Sequence, residues 1–261
     1  MSTIGQTRLI PRVNMEAGMT KASSRLKARL AGAFYFLAGL TSVLGGVYIP
    51  GKLVVTGNAA ATANAILSHK PLFQLGFSVM LLAVFCSIIL TALFYDLFAP
   101  VNKTLSLTAA FVHLVGLAIL GFASFLQLAP LVVLEGGGAY LGVFQAQQIH
   151  ALAYLFLQLN VQAANAFLAF FGLYCLLLGY LVFRSTFLPR LIGVFMAFAG
   201  LGYLTFVSPP LAAYLSPYNL APAALGEGSL MLWLLIVGVN APRWQEQASH
   251  AARYAASGEP S

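Results

Sequence analysis

FFGLYCLLLGYLVF (Phe170–Phe183), RSTFLPR (Arg184–Arg190) and LIGVFMAFAGLGYL (Leu191–Leu204) follow one another without interruption. Two apolar runs flank a short basic turn. The first carries Gly172 and Gly179, seven residues apart, and the second carries Gly193 and Gly200 at the same interval. A seven-residue step returns to nearly the same face of a helix. Each run therefore reads as a helix with a groove of small residues where another backbone can come close. Gly32, Gly39 and Gly46 repeat the interval near the start of the chain. Helix packing explains these glycines better than phosphate binding, because they lie inside apolar runs rather than in loops.

Composition extends this reading to the whole chain. Of 261 residues, 60% are hydrophobic and 7% charged, against about 25% charged in a soluble domain. A water-soluble fold of this length could not hide so much apolar surface, whereas a bilayer solvates it. The fold class expected is an all-α integral membrane protein with six transmembrane helices. The net charge of +7 does not indicate nucleic acid. The basic residues sit at the N-terminus and in short loops, not on one face. Cys86 and Cys175 lie inside apolar runs, where inert buried thiols are expected rather than a disulfide or a metal site.

The spans read in order. Residues 1–27 form a polar tail expected to be flexible, ending in Arg25 and Lys27 beside Arg29. The first span, about Leu30–Ile49, is too long for a cleaved signal peptide. A loop follows in which Asn58 can cap a short surface helix over ATANAILSH. The second span is about Leu72–Leu97 and the third about Leu105–Leu134, the latter containing Pro130 and stopping at Glu135-Gly136-Gly137-Gly138. Tyr140–Phe183 is too long for one span and has no turn signal near its middle. It reads as an interfacial or protruding helix, about Gly142–Leu159, running into the fourth span, with Asn160 as a place to kink. The fifth span is about Leu188–Val207. A loop rich in Pro and Tyr precedes the sixth, about Pro222–Val239. Residues 28–239 thus form the transmembrane domain, and 240–261 a polar tail holding one short helix around Trp244–Tyr254.

With six spans both termini lie on one side. About eleven of the thirteen Lys and Arg then share that side, leaving Lys52 and Lys70 opposite. The positive-inside rule predicts cytoplasmic N- and C-termini.

Three stretches resemble a known family: PVNKTLSLTAAF (Pro100–Phe111), GNAAATANAILSHKPLFQLGF (Gly57–Phe77) and the opening stretch, Phe170–Leu204. Together they are similar to the bacterial multi-pass proteins grouped as domain of unknown function 4386, over roughly Ala28–Val239. The resemblance implies a bacterial inner-membrane protein and no particular reaction. In one respect the chain departs from it. Where the family leads one to expect arginine in the third span, this chain has His113.

Ionisable groups at membrane depth are costly and mark candidate sites. Asp96, at the end of the second span, is expected to pair with Lys103, Arg184 or Arg190 in a structural ion pair, a proton relay being the alternative. His113 falls near mid-bilayer. It reads as an imidazole hydrogen-bonded to a neighbouring helix, with a proton-accepting group or a haem or metal ligand as alternatives. Gln147, His150, Tyr154, Gln158, Gln162 and Asn165 recur every three or four residues and form one polar stripe. The stripe is either the wet face of an interfacial helix or a wall of an outer pocket shared with Glu135 and Glu227.

These residues favour a non-enzymatic protein that binds a small amphiphile, lipid or partner helix in an outer-side pocket. The alternatives are a small-solute or ion transporter or channel, disfavoured here because the midplane offers little beyond His113, and an intramembrane haem- or metal-binding protein. No hydrolase, phosphate-binding or paired-cysteine motif is present. No cofactor and no metal are expected. The expected partners are the bilayer, an amphiphilic ligand and a second copy of the chain, with no nucleic acid.

Overall fold

The computed structural model describes residues 10–136 and 141–257. Its helices are α1 (Ile10–Val43), α2 (Ile49–Leu53), α3 (Ala59–Ser68), α4 (Lys70–Phe98), α5 (Lys103–Gly136), α6 (Ala146–Arg184), α7 (Arg190–Leu204), α8 (Pro209–Leu215), α9 (Ala221–Ile236) and α10 (Ala241–Ser257). No strand occurs among the described residues. Six segments among them are long and apolar enough to cross a bilayer: Ser24–Leu53, Lys70–Phe98, Lys103–Gly136, Ala146–Arg184, Arg190–Val207 and Tyr218–Ile236. The chain is an all-α, six-span membrane bundle. Its outward faces carry aromatic side chains such as Phe85, Phe111, Phe122 and Phe125, which hydrocarbon solvates and water would not.

Each span packs on the next in sequence, and α9 returns to α1, which closes a ring of six. The ring encloses a core that includes Tyr35, Phe94, Tyr174, Leu178, Met196 and Leu230. The glycines set its tightest seam. A Cβ at Gly179 would stand 2.8 Å from the carbonyl oxygen of Gly193, and a Cβ at Gly193 would stand 2.6 Å from that of Gly179. Gly172 and Gly200 oppose each other in the same way. The two seven-residue patterns are therefore halves of one interface, joined by the turn between α6 and α7. Gly32 likewise lies against the backbone of Leu235 in α9. Gly39 does not share this role. A Cβ there meets nothing within 4 Å.

The first span widens into a π-helical turn at Leu44–Tyr48 before Pro50. Proline cannot donate to the carbonyl four residues back, and its ring crowds that carbonyl. Gln127 of α5 donates Nε2 to the carbonyl of Gly45 at 3.1 Å and satisfies one freed acceptor.

Lys27, Asp96, Lys103, Arg184, Arg190 and Arg243 collect at one end of the bundle, hereafter the basic end, where α10 also lies. The protruding helix expected before the fourth span runs into it without a break. α6 is continuous over 39 residues, about 58 Å at the usual rise against a hydrocarbon core of about 30 Å, and it packs on α3. Asn160 lies within this helix. Its Nδ2 donates to the carbonyl of Ala123 at 2.8 Å and ties α6 to α5. At the N-terminus the helix begins at Ile10, inside the stretch expected to be a flexible tail. The C-terminal helix is longer than expected and docks: Trp244 donates its indole N–H to the carbonyl of Leu97 at 2.9 Å. The expected cap on α3 is present, Asn58 accepting from the amide of Ala61. α5 ends at Gly136. Gly137 and Gly138, the rest of the expected stop, lie outside the described residues.

Candidate functional site

The most unusual side chain in the bundle is Glu227. Its helix, α9, starts at Ala221 with proline in the first turn, so the carboxyl lies two turns inside the span. Gly226, one residue earlier, lets α9 press against α7. A Cβ at Gly226 would come within 2.6 Å of the carbonyl oxygen of Phe195. This close approach sets Glu227 between two tyrosines from other spans. Tyr35 of α1 donates its hydroxyl to Oε2 at 3.2 Å, and Tyr203 of α7 donates to Oε1 in a short hydrogen bond. Three spans thus meet on one carboxyl group, each oxygen taking one donor. That is the arrangement a carboxylate needs once it leaves water.

A second polar group lies across the same core. His113 of α5 is buried. Its Nδ1 is 2.8 Å from Thr91 Oγ1 of α4. Thr91 already donates its one hydroxyl hydrogen to the carbonyl of Ser87 at 2.7 Å. With that hydroxyl hydrogen on the Ser87 carbonyl, the contact needs the imidazole hydrogen on Nδ1; with the hydroxyl turned to His113, Nδ1 accepts instead. The imidazole stacks on Tyr174 of α6, centroids 4.1 Å apart and planes 10° apart. The hydroxyl of Tyr174 is buried and makes no hydrogen bond among the described residues. Tyr174 and the buried thiol of Cys175 both lie within electrostatic reach of Glu227.

All these groups share one depth. Tyr35, His113 and Tyr174 each stand ten residues from a basic residue at the end of their span, Arg25, Lys103 and Arg184, and Glu227 stands ten residues from Val237. Ten residues of helix are about 15 Å, half the hydrocarbon thickness. The six-span ring therefore carries a polar centre at its midplane. On its basic-end side lies a cavity of about 10 Å³, walled by Thr91, Ser106, Tyr174 and the aromatic rings of Phe94 and Phe98. That is room for about one water molecule.

A family model described as Domain of unknown function (DUF4386) matches residues 30–238. The chain belongs to this family. No curated protein and no solved structure matches this DUF4386 protein. Glu227, Tyr35, Tyr203 and His113 all lie inside the matched residues.

The structure distributes the residues expected to form an outer pocket. Glu135, at the outer end of α5, pairs with Lys70 at 3.0 Å. Glu227 belongs to the midplane, on a helix that packs against α7 and α1 rather than α5. In the polar stripe of α6, Gln147, Gln158 and Gln162 are exposed, and His150 and Asn165 are half-buried. Tyr154 accepts a hydrogen bond from the amide of Gly57 and braces the loop before α3. Lys52 stands over the ring of Tyr48. Glu135, Tyr154 and Lys52 thus each take a separate partner, and Glu227 lies apart from them. His150 is also 24 residues from Tyr174 along α6, about 36 Å, so it cannot share a ligand with His113.

The ion-pair expectation is corrected in its partner. Asp96 is paired at 3.0 Å with Lys27 of the first span, rather than with Lys103, Arg184 or Arg190. Arg190 instead lies over the ring of Phe183. Sequence reading singled out His113 and Glu227 but missed Tyr35, Tyr203, Tyr174 and Thr91. A signal existed. Each tyrosine interrupts an apolar run inside a span, where an aromatic hydroxyl needs a partner.

Proposed function

We propose that this DUF4386 protein is a non-enzymatic, proton-exchanging membrane protein of the transporter or channel class, with Glu227 as the exchanging group. The observation behind the reading is a carboxyl at mid-bundle bonded by tyrosines from two other spans. An ionisable side chain at that depth is costly in hydrocarbon and is kept where it binds or relays an ion. Midplane polar sites are also where secondary transporters hold coupling ions.

The chemistry is simple proton transfer. A proton reaching the carboxylate converts it to a carboxylic acid, whose O–H then donates to one of the two tyrosine oxygens. That tyrosine turns its own hydrogen to another acceptor. Loss of the proton restores both tyrosine donors. The small cavity beside Tyr174 lies between this centre and the basic end, and supports entry from that side. We place the basic end and both termini at the cytoplasmic face of a bacterial inner membrane, on the distribution of eleven of thirteen Lys and Arg.

The test is proton flux into proteoliposomes driven by a potassium diffusion potential and followed with an internal pH dye. Glu227→Gln keeps an acceptor oxygen and the size of the side chain but cannot exchange a proton. Uptake by the wild type that falls to the protein-free rate in Glu227→Gln supports the reading. Equal rates in wild type, variant and empty vesicles overturn it.

A further inference from the structure

Two hollows meet on the outside of the α6–α7 hairpin. The first is an apolar groove of about 370 Å³ between the two helices, lined by Gly179, Gly193, Val194, Phe198 and Leu201. It lies within two spans and therefore faces hydrocarbon. The second is a polar hollow of about 630 Å³ at the basic end, between the α6–α7 turn and α10. Arg190, Arg243 and His250 line it, with Glu246 as its one acid. Two contacts fix its shape. Arg243 donates Nη1 to the carbonyl of Thr186 at 3.4 Å, and Gln247 accepts from both the amide and the hydroxyl of Thr186. The hollows adjoin where Arg190, which lines the polar one, lies 5.9 Å from the ring centroid of Phe183, which lines the apolar one.

An apolar channel at bilayer depth that ends among arginines at headgroup level matches one kind of molecule. We propose that this surface binds an anionic phospholipid, one acyl chain along the α6–α7 groove and the phosphate between Arg190 and Arg243. Charge complementarity carries the choice. Basic groups at the cytoplasmic surface of a membrane attract anionic headgroups, each at roughly a fivefold gain in affinity. A second copy of the chain fits the same surface less well. Gly179 and Gly193 are already spent on each other's backbones, so they cannot admit another helix closely. A symmetric pair would also bring the two sets of arginines face to face.

The experiment uses the full chain in detergent, titrated with phosphatidylglycerol, with phosphatidylcholine of the same chains, and with inorganic phosphate. Thermal stability and native mass spectra are read together. Phosphatidylglycerol alone raises the melting temperature and appears as a bound adduct. The double variant Arg190→Gln/Arg243→Gln binds it roughly 30-fold more weakly. Val194→Trp fills the groove and lowers affinity while the arginines stay in place. Both variants alter exposed or half-buried positions, and the mass spectrum reads lipid occupancy independently of any change in stability. Equal effects of phosphatidylglycerol and phosphatidylcholine overturn the proposal. So does an equal effect of inorganic phosphate, full binding by the double variant, or a dimer that Val194→Trp converts to monomer.

Discussion

At the scale of single residues, the midplane hydroxyls divide into bonded and unbonded. Tyr203 donates to Glu227, whereas the hydroxyl of Tyr174 has no partner among the described residues. Removing a donor from a buried carboxyl strands an acceptor, while removing an unpartnered hydroxyl strands nothing. Tyr203→Phe should therefore destabilise the protein by about 1–2 kcal/mol, the upper range for hydrogen bonds between membrane helices. Tyr174→Phe should leave stability unchanged within about 0.5 kcal/mol or raise it. Denaturation in mixed detergent measures both. Equal losses would mean that the bonding to Glu227 carries no weight. His113 and Glu227 were visible in the sequence because charge and imidazole are rare inside spans. Their partners were not, because a tyrosine in an apolar run resembles the aromatic residues that line any membrane helix.

At the scale of elements, the sequence marks a small-residue groove on α6 and another on α7, and the structure shows that they face each other. Four glycines at matched intervals on either side of a short turn can only meet each other if the turn folds the helices back. Space around a glycine decides what a side chain would do there. Gly193→Ala drives a methyl against the backbone of Gly179 and Phe183 and should cost about 1–3 kcal/mol. Gly39→Ala enters open space and removes a flexible residue from a helix, so it should be neutral or stabilising by up to about 1 kcal/mol. Melting temperatures of the two variants against wild type check this. Gly39 shows the limit of the pattern. A seven-residue interval marks a helix face, but it does not reveal whether another helix lies opposite. The long α6 marks the same limit. Its polar stripe is plain in the sequence, but the sequence alone leaves it either a wet face or a pocket wall. Which groups converge depends on how helices rotate in the ring, and neighbouring spans that share no sequence pattern set that rotation.

At the scale of the whole molecule, six spans and a concentration of basic residues at one end give a strong orientation. Single cysteines placed at Arg184 and Arg243 in a cysteine-free background should react with an impermeant maleimide from the same face. A cysteine at Glu135 should react from the opposite face. Labelling of Arg184 and Arg243 positions from different faces would break the six-span topology. Within that topology the ring closes by packing its last span on its first. The closure brings Tyr35, Tyr203 and Glu227 together from distant parts of the chain. It could not be read locally, since nothing near Tyr35 announces a carboxyl 192 residues away.

The central claim is that this carboxyl gains and loses a proton inside the bilayer. Infrared difference spectroscopy of the protein in lipid, across a pH step, observes it directly. A carboxylic C=O band that appears and disappears reversibly in the wild type, and is missing in Glu227→Gln, is the predicted result. A spectrum in which wild type and Glu227→Gln show the same carboxyl bands at every pH would contradict it.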